Sequence, residues 1–202
     1  MIKLNAKELR NYDFKENKRN KKDQKDQIKK NPIYIILDNV LDTYNIGSIF
    51  RLADAVAAKQ ILLCGETQVP PHTRIKKASI NTTEWVDWEY FDSAKSAIQS
   101  LKCPPANDLQ CRAGKVQSDN SKLKVIAIEQ DERSIPYTKM NWELPVAVVV
   151  GNETYGVSKE VLEMCDSIVE IPMWGVNKSL NVMVSLGIVI YKIIEMRKDQ
   201  NF

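Results

Sequence analysis

The sequence predicts an α/β domain, a parallel sheet flanked on both faces by helices. Short apolar runs recur at residues 33–37, 60–64, 125–128, 146–150 and 168–171. Each is strand-length and mainly apolar without strict alternation, as strands covered on both sides are. Segments with helical spacing lie between them, at 46–58, 93–101 and 158–165. Strands alternating with helices are the pattern of crossover-connected parallel strands.

A chain of 202 residues with 44% hydrophobic content suits one domain of ordinary size with a small appendage. The appendage comes first. Residues 1–31 are polar and rich in Lys and Arg, with Leu4 and Leu9 as anchors for a short amphipathic start. The overall net charge of +3 names no partner by itself, because the basic residues crowd into this arm. The cluster at 15–30 is too poor in apolar residues to fold alone, and reads either as a solvated tail or as an arm that neutralises a polyanion.

The domain proper is expected over 32–202. Its first strand ends at Leu37 and a polar turn leads to a helix that Asn45 can cap, with Ile46, Ile49, Phe50 and Ala53 on the buried face. Arg51 leaves by another face, either as a solvated side chain or as a fork of donors held on a rigid element to meet a phosphate. The stretch 103–122, rich in Pro, Asn, Asp, Gly and Ser, reads as a loop insertion. The strand at 146–150 runs into Gly151-Asn152-Glu153-Thr154-Tyr155-Gly156. Ligand loops of open α/β sheets lie at such carboxyl ends, and Gly151 would permit close approach to a ligand. Glu153 is open to two readings there, a cap or ion-pair partner and a functional carboxylate. The strand at 168–171 stops at Pro172, a polar loop crosses, and Ser179 is expected to open the last helix with Asn181 in its first turn. From 180 to about 196 apolar residues occupy nearly every face, so this helix should bury itself against the sheet or a partner subunit.

The longest apolar run, 182–194, is interrupted by Ser185 and Tyr191 and too short for a bilayer, and no signal-peptide core follows Met1. A cytoplasmic protein without a membrane partner is expected. Cys64, Cys103, Cys111 and Cys165 lack C-x-x-C spacing and His72 is the sole histidine, so reduced thiols and no metal site are expected.

Three segments together resemble the SpoU, or TrmH-like, family of SPOUT methyltransferases. Asn45 and Arg51 fit an N-x-G-x-x-x-R first motif, Gly151, Glu153 and Gly156 a G-x-E-x-x-G second motif, and Ser179-Leu180-Asn181-Val182 an S-L-N-V third motif, in family order. The stretches 74–78 and 85–90 are also similar to bacterial members. The resemblance implies a SPOUT fold with a deep trefoil knot near the C-terminus, a homodimer, and S-adenosylmethionine as cofactor. It further implies methyl transfer to a ribose 2′-hydroxyl of tRNA or rRNA. By the same resemblance Arg51 contacts the target phosphate and ribose and helps deprotonate the hydroxyl, while Asn45, Glu153, Ser179 and Asn181 orient substrate and support the loops. Gly151, Ile171, Met173 and Leu180 would contact the cofactor, chiefly through backbone groups, and Arg51, Arg74, Lys76 and Lys77 the RNA. A guanidinium stays protonated in ordinary sites, so Arg51 acts either as the base or as a charge stabiliser while phosphate or water takes the proton. A Rossmann-type methyltransferase would need a glycine-rich turn after its first strand, where this chain has Asp38-Asn39-Val40. The remaining alternative is an inactive RNA-binding module of the same fold.

Overall fold

A computed structural model describes residues 3–11, 28–102 and 122–198. Most of the basic cluster at 15–30 and all but the last residue of the 103–122 insertion lie outside the described residues. In chain order the elements are α1 (Ala6–Asn11), β1 (Asn31–Asp38), α2 (Thr43–Ala55), β2 (Ala58–Cys64), α3 (Thr73–Ser79), a 3₁₀ turn (Thr82–Glu84), β3 (Trp88–Phe91) and α4 (Ala94–Lys102). There follow β4 (Lys124–Ile128), β5 (Ile135–Pro136), β6 (Val146–Gly151), α5 (Lys159–Met164), β7 (Ser167–Glu170) and α6 (Val182–Lys198).

The strands form one sheet in the order β3-β2-β1-β6-β4-β7-β5, and every pairing is parallel. Because successive side chains of a strand face opposite sides, the sheet feeds two cores. Ile33, Ile35, Leu37, Val146, Val148 and Val150 point to the side covered by α2 and α6, where Ile46, Ile49, Phe50, Leu186, Val189 and Ile190 meet them. Tyr34, Ile36, Ala147 and Val149 point to the side covered by α4 and α5, against Ala97, Ile98, Val161 and Leu162. The expected fold class, parallel sheet with helices on both faces, is the observed one.

Several boundaries move for identifiable reasons. The helix α2 begins at Thr43, because Asp42 and not Asn45 is its cap: the Asp42 carboxylate accepts from the Tyr44 N–H at 2.7 Å. Asn45 therefore sits inside the first turn and is buried. Ser179 does not open the last helix. The Asn181 side chain accepts from the Met183 N–H at 3.0 Å and α6 starts at Val182, while Ser179 stays in the preceding loop. At the start of the chain, Asn5 accepts from the N–H groups of Lys7 and Glu8 and Glu8 accepts from that of Asn5, a reciprocal cap that begins α1. The Asn81 side chain donates to the Leu9 carbonyl and ties α1 to the domain.

Candidate active site

The first motif helix is packed tightly on its neighbour. A Cβ on Gly47 would lie 2.6 Å from the Cβ of Ala78 and 2.7 Å from the Ile75 carbonyl oxygen, so only glycine lets α2 approach α3 this closely. The pairing brings exposed Arg51 on α2 and exposed Arg74, Lys76 and Lys77 on α3 onto adjacent helices.

The entry to α2 is held from far along the chain. Glu153 accepts from the N–H groups of Leu41 and Asp42 and from the side-chain amide of Asn45, each at 3.0 Å. The oxygen of that amide accepts from the side chain of Asn181 at 2.9 Å. One chain of bonds, Glu153 to Asn45 to Asn181, thus joins all three motif segments. Burial pushes the Glu153 carboxyl up, but the hydrogen bonds from Leu41, Asn45 and Asp42 outweigh it and hold the group below its ordinary value. An anion at a helix N-terminus is also favoured by the helix dipole. So committed, Glu153 is poorly suited to take a proton; its geometry is that of a clamp.

Beside this chain of bonds, at the carboxyl ends of β4, β6 and β7, lies a cavity of about 440 Å³. Ile128, Val150, Ile171, Met173, Leu180 and Val182 supply apolar wall, and Glu129, Gln130, Glu153, Glu170, Lys178 and Ser179 supply polar groups. The volume falls in the range of small-molecule sites. One wall is the turn 152–156, closed by paired bonds between the Asn152 and Gly156 backbones at 3.0 and 2.9 Å. A Cβ on Gly151 would stand 2.2 Å from the Gly156 backbone, so Gly151 is required because its own loop returns against it. The space a Cβ would occupy is filled by the chain's own loop, while Gly151 also lines the cavity.

Of the expected site residues, Gly151, Glu153, Ile171, Met173, Ser179, Leu180 and Asn181 line the cavity together. Asn45 stands behind them, joined through its bonds. Arg51 is not a wall residue; six positions beyond Asn45, it stands roughly 9 Å further along the helix axis. Arg74, Lys76 and Lys77 also lie outside the cavity wall. Glu129 and Gln130, which do line it, escaped the sequence reading, although a polar pair directly after a buried strand in an open α/β sheet is the signal that could have found them.

The model of the SpoU rRNA methylase family matches residues 32–115 and 110–191. The chain belongs to this family. It is 28% identical over 175 residues to the tRNA (guanosine(18)-2′-O)-methyltransferase of Aquifex aeolicus, covering 85% of this chain and 73% of that one. It is also 28% identical over 170 residues to the 23S rRNA (guanosine-2′-O-)-methyltransferase RlmB of Ralstonia nicotianae, covering 84% of this chain but 61% of the relative. Among solved structures, the A. aeolicus TrmH/SpoU tRNA modifying enzyme superposes with a TM-score of 0.72 at 23% identity, over 91% of this chain and 85% of that one. The SpoU methyltransferase AviRb of Streptomyces viridochromogenes, solved with AdoMet, gives 0.69 at 21% identity, over 86% and 61%. Both likenesses establish a shared fold.

The two cysteines among the described residues fit no reactive role: burial, with a smaller contribution from nearby carboxylates, pushes Cys64 and Cys165 up to about 12. Among the described residues no cluster of His, Cys, Asp or Glu could hold a metal, and no helix is long and apolar enough to cross a membrane.

Proposed function

We propose that this SpoU-family chain transfers a methyl group from S-adenosylmethionine to a ribose 2′-hydroxyl of tRNA or rRNA. The observation that carries the reading is the bonded chain Glu153–Asn45–Asn181, which gathers three distant motif segments beside a cavity at the strand ends. The cavity suits the cofactor in kind: an apolar wall for a purine, loop backbone for its polar edges, and the carboxylate of Glu170 for a cation. Gly151, Ile171, Met173 and Leu180 are assigned as its contacts. When bound, the cofactor supplies an electrophilic methyl carbon on a sulfonium.

What remains for the protein is placement of the acceptor oxygen in line and relief of its proton. Arg51, exposed on α2, is assigned to hold the target phosphate and offset charge developing on the ribose oxygen, with the proton leaving to solvent. Asn45, Glu153, Ser179 and Asn181 are assigned to orient the loops and the substrate. Arg74, Lys76 and Lys77, on the neighbouring helix, extend a basic surface for RNA. Arg51→Ala should lower kcat on the order of 10²–10³-fold and leave melting unchanged, since its side chain is outside the core. Arg51→Lys should also fail, because an ammonium lacks the fork of donors.

The same reading extends to a cytoplasmic homodimer with the trefoil knot of the SPOUT fold. Val184 and Tyr191 on α6 are 41% and 55% exposed and Leu180 beside it 41%, apolar surface that a second copy would cover. Sedimentation at micromolar concentration should show the dimer. The decisive experiment is transfer from labelled S-adenosylmethionine into total RNA followed by nucleoside analysis. Ribose-methylated nucleosides are expected; base-methylated products alone would overturn the acceptor.

A further inference from the structure

The strand β4 lies between β6 and β7, so the two residues that follow it emerge between the loops that wall the cavity. These are Glu129 and Gln130, which belong to none of the three motif segments. Glu129 spends both carboxylate oxygens on main-chain donors: Oε2 accepts from the Val157 N–H at 2.8 Å and Oε1 from that of Gln130 at 2.9 Å. Val157 follows Gly156, whose φ is +70°, and a Cβ on Gly156 would come within 2.1 Å of the same Oε2. The carboxylate is therefore seated directly against the turn of the second motif.

Gln130 reaches the opposite wall, where its side-chain amide donates to the Lys178 carbonyl. The loop 171–180 has few other anchors. Ser179 bonds Asn177 within the loop, and the Asn45 contact comes only at Asn181, after it. Among the described residues, Gln130 thus supplies the hydrogen bond that fixes the loop's interior to another segment.

We infer that Glu129 and Gln130 are positioning residues for the cofactor, with Gln130 latching the 171–180 loop at the width the ligand needs. The inference rests on the S-adenosylmethionine reading above. A ligand held mainly by loop backbone binds best when the loop is already in place, because otherwise binding must supply the ordering. Gln130 itself is exposed, so its bond adds little to the core and its effect should appear in binding.

The test compares the full chain with Gln130→Glu and Gln130→Lys. Glutamate keeps the size and loses the donor; lysine keeps a donor. Calorimetry should show the S-adenosylmethionine Kd of Gln130→Glu raised about tenfold, one hydrogen bond's worth of affinity. Hydrogen exchange without cofactor should quicken at amides of 171–180, with melting nearly unchanged. In turnover, KM for the cofactor should rise while kcat at saturation holds, and Gln130→Lys should recover most of the loss. A Gln130→Glu protein with wild-type Kd and unchanged exchange in the loop overturns the latch. So does a loss of melting temperature and kcat without a change in KM. If the wild-type protein binds no S-adenosylmethionine, the functional reading itself falls and the cofactor role of Gln130 with it, an outcome distinct from a binding wild type with an indifferent variant.

Discussion

The two walls of the cavity are built on opposite plans. In the turn 152–156 nearly every polar group is engaged. The Asn152 side chain accepts from Thr154 and Tyr155 and donates to the Asn39 carbonyl, Glu153 clamps the start of α2, and the backbone closes on itself at Gly156. The facing loop, 171–180, carries, among the described residues, one hydrogen bond from its interior to another segment and holds part of its apolar surface in the open, with Trp174 92% and Val176 102% exposed. A wall that is preformed fixes where a ligand sits. A wall with few bonds and bare apolar side chains has its contacts still to make, and this is where cofactor, RNA or a second subunit would complete it.

The largest effect expected from this contrast comes from Gly151→Ala. The new methyl would meet backbone of Gly156 and Val157 at 2.2 Å, and backbone cannot swing aside as a side chain can. Destabilisation of about 3 kcal/mol is expected, at the upper end for overpacking. Urea denaturation measures it, and a variant within 1 kcal/mol (about a third of that) of the parent would show the turn to be far softer than its bonds suggest.

A smaller effect attaches to Glu153→Gln. The amide keeps one acceptor for the α2 entry but gives up the charge, and with solvent near the group a loss of about 1 kcal/mol at neutral pH is expected. Because hydrogen bonds depress the folded carboxyl, its stabilisation is complete above the ordinary value of 4.5 and is lost as pH falls through the lower, folded one. The gap between parent and variant in thermal melts should therefore be constant from pH 7 down to about 5 and close below it. A gap that widened on acidification would reverse the sign assigned to Glu153.

How much of this was legible in the sequence follows the same division. The strands β1, β4 and β6 were readable within about two residues because their apolar runs are unbroken and mostly buried, and β7 was readable to the same margin from its shorter apolar core at Ile168 and Val169. The helix α3 and the strand β3 were not, since each is short and mostly exposed, with too few apolar positions to set a period. The motif residues were identifiable as a set. Their roles were less so, because the capping place of Asn45 went to Asp42, and the Asn45 amide is instead engaged by Glu153 from more than a hundred residues away. Glu129 and Gln130 carried no motif, and the strand order that puts them between the two walls is a tertiary fact.

The smallest effect is expected from the same glycine-to-alanine change made in the facing loop. Around a Cβ built on Gly175 no atom lies within 4 Å, and its φ is outside the left-handed region that only glycine enters freely. Alanine removes freedom from the unfolded chain, so Gly175→Ala should be neutral or more stable by about 0.5 kcal/mol, against the loss of about 3 kcal/mol at Gly151. Melting without ligand checks the first half of that statement. Repeating the melt with S-adenosylmethionine, and then with RNA, sharpens it, because a ligand that binds the folded state raises the melting temperature in proportion to its affinity. If the open space is only solvent, the variant shifts as the parent does. If it is filled on binding, the extra methyl leaves the free protein untouched and reduces the shift, and the ligand that loses its shift is the one that completes this wall.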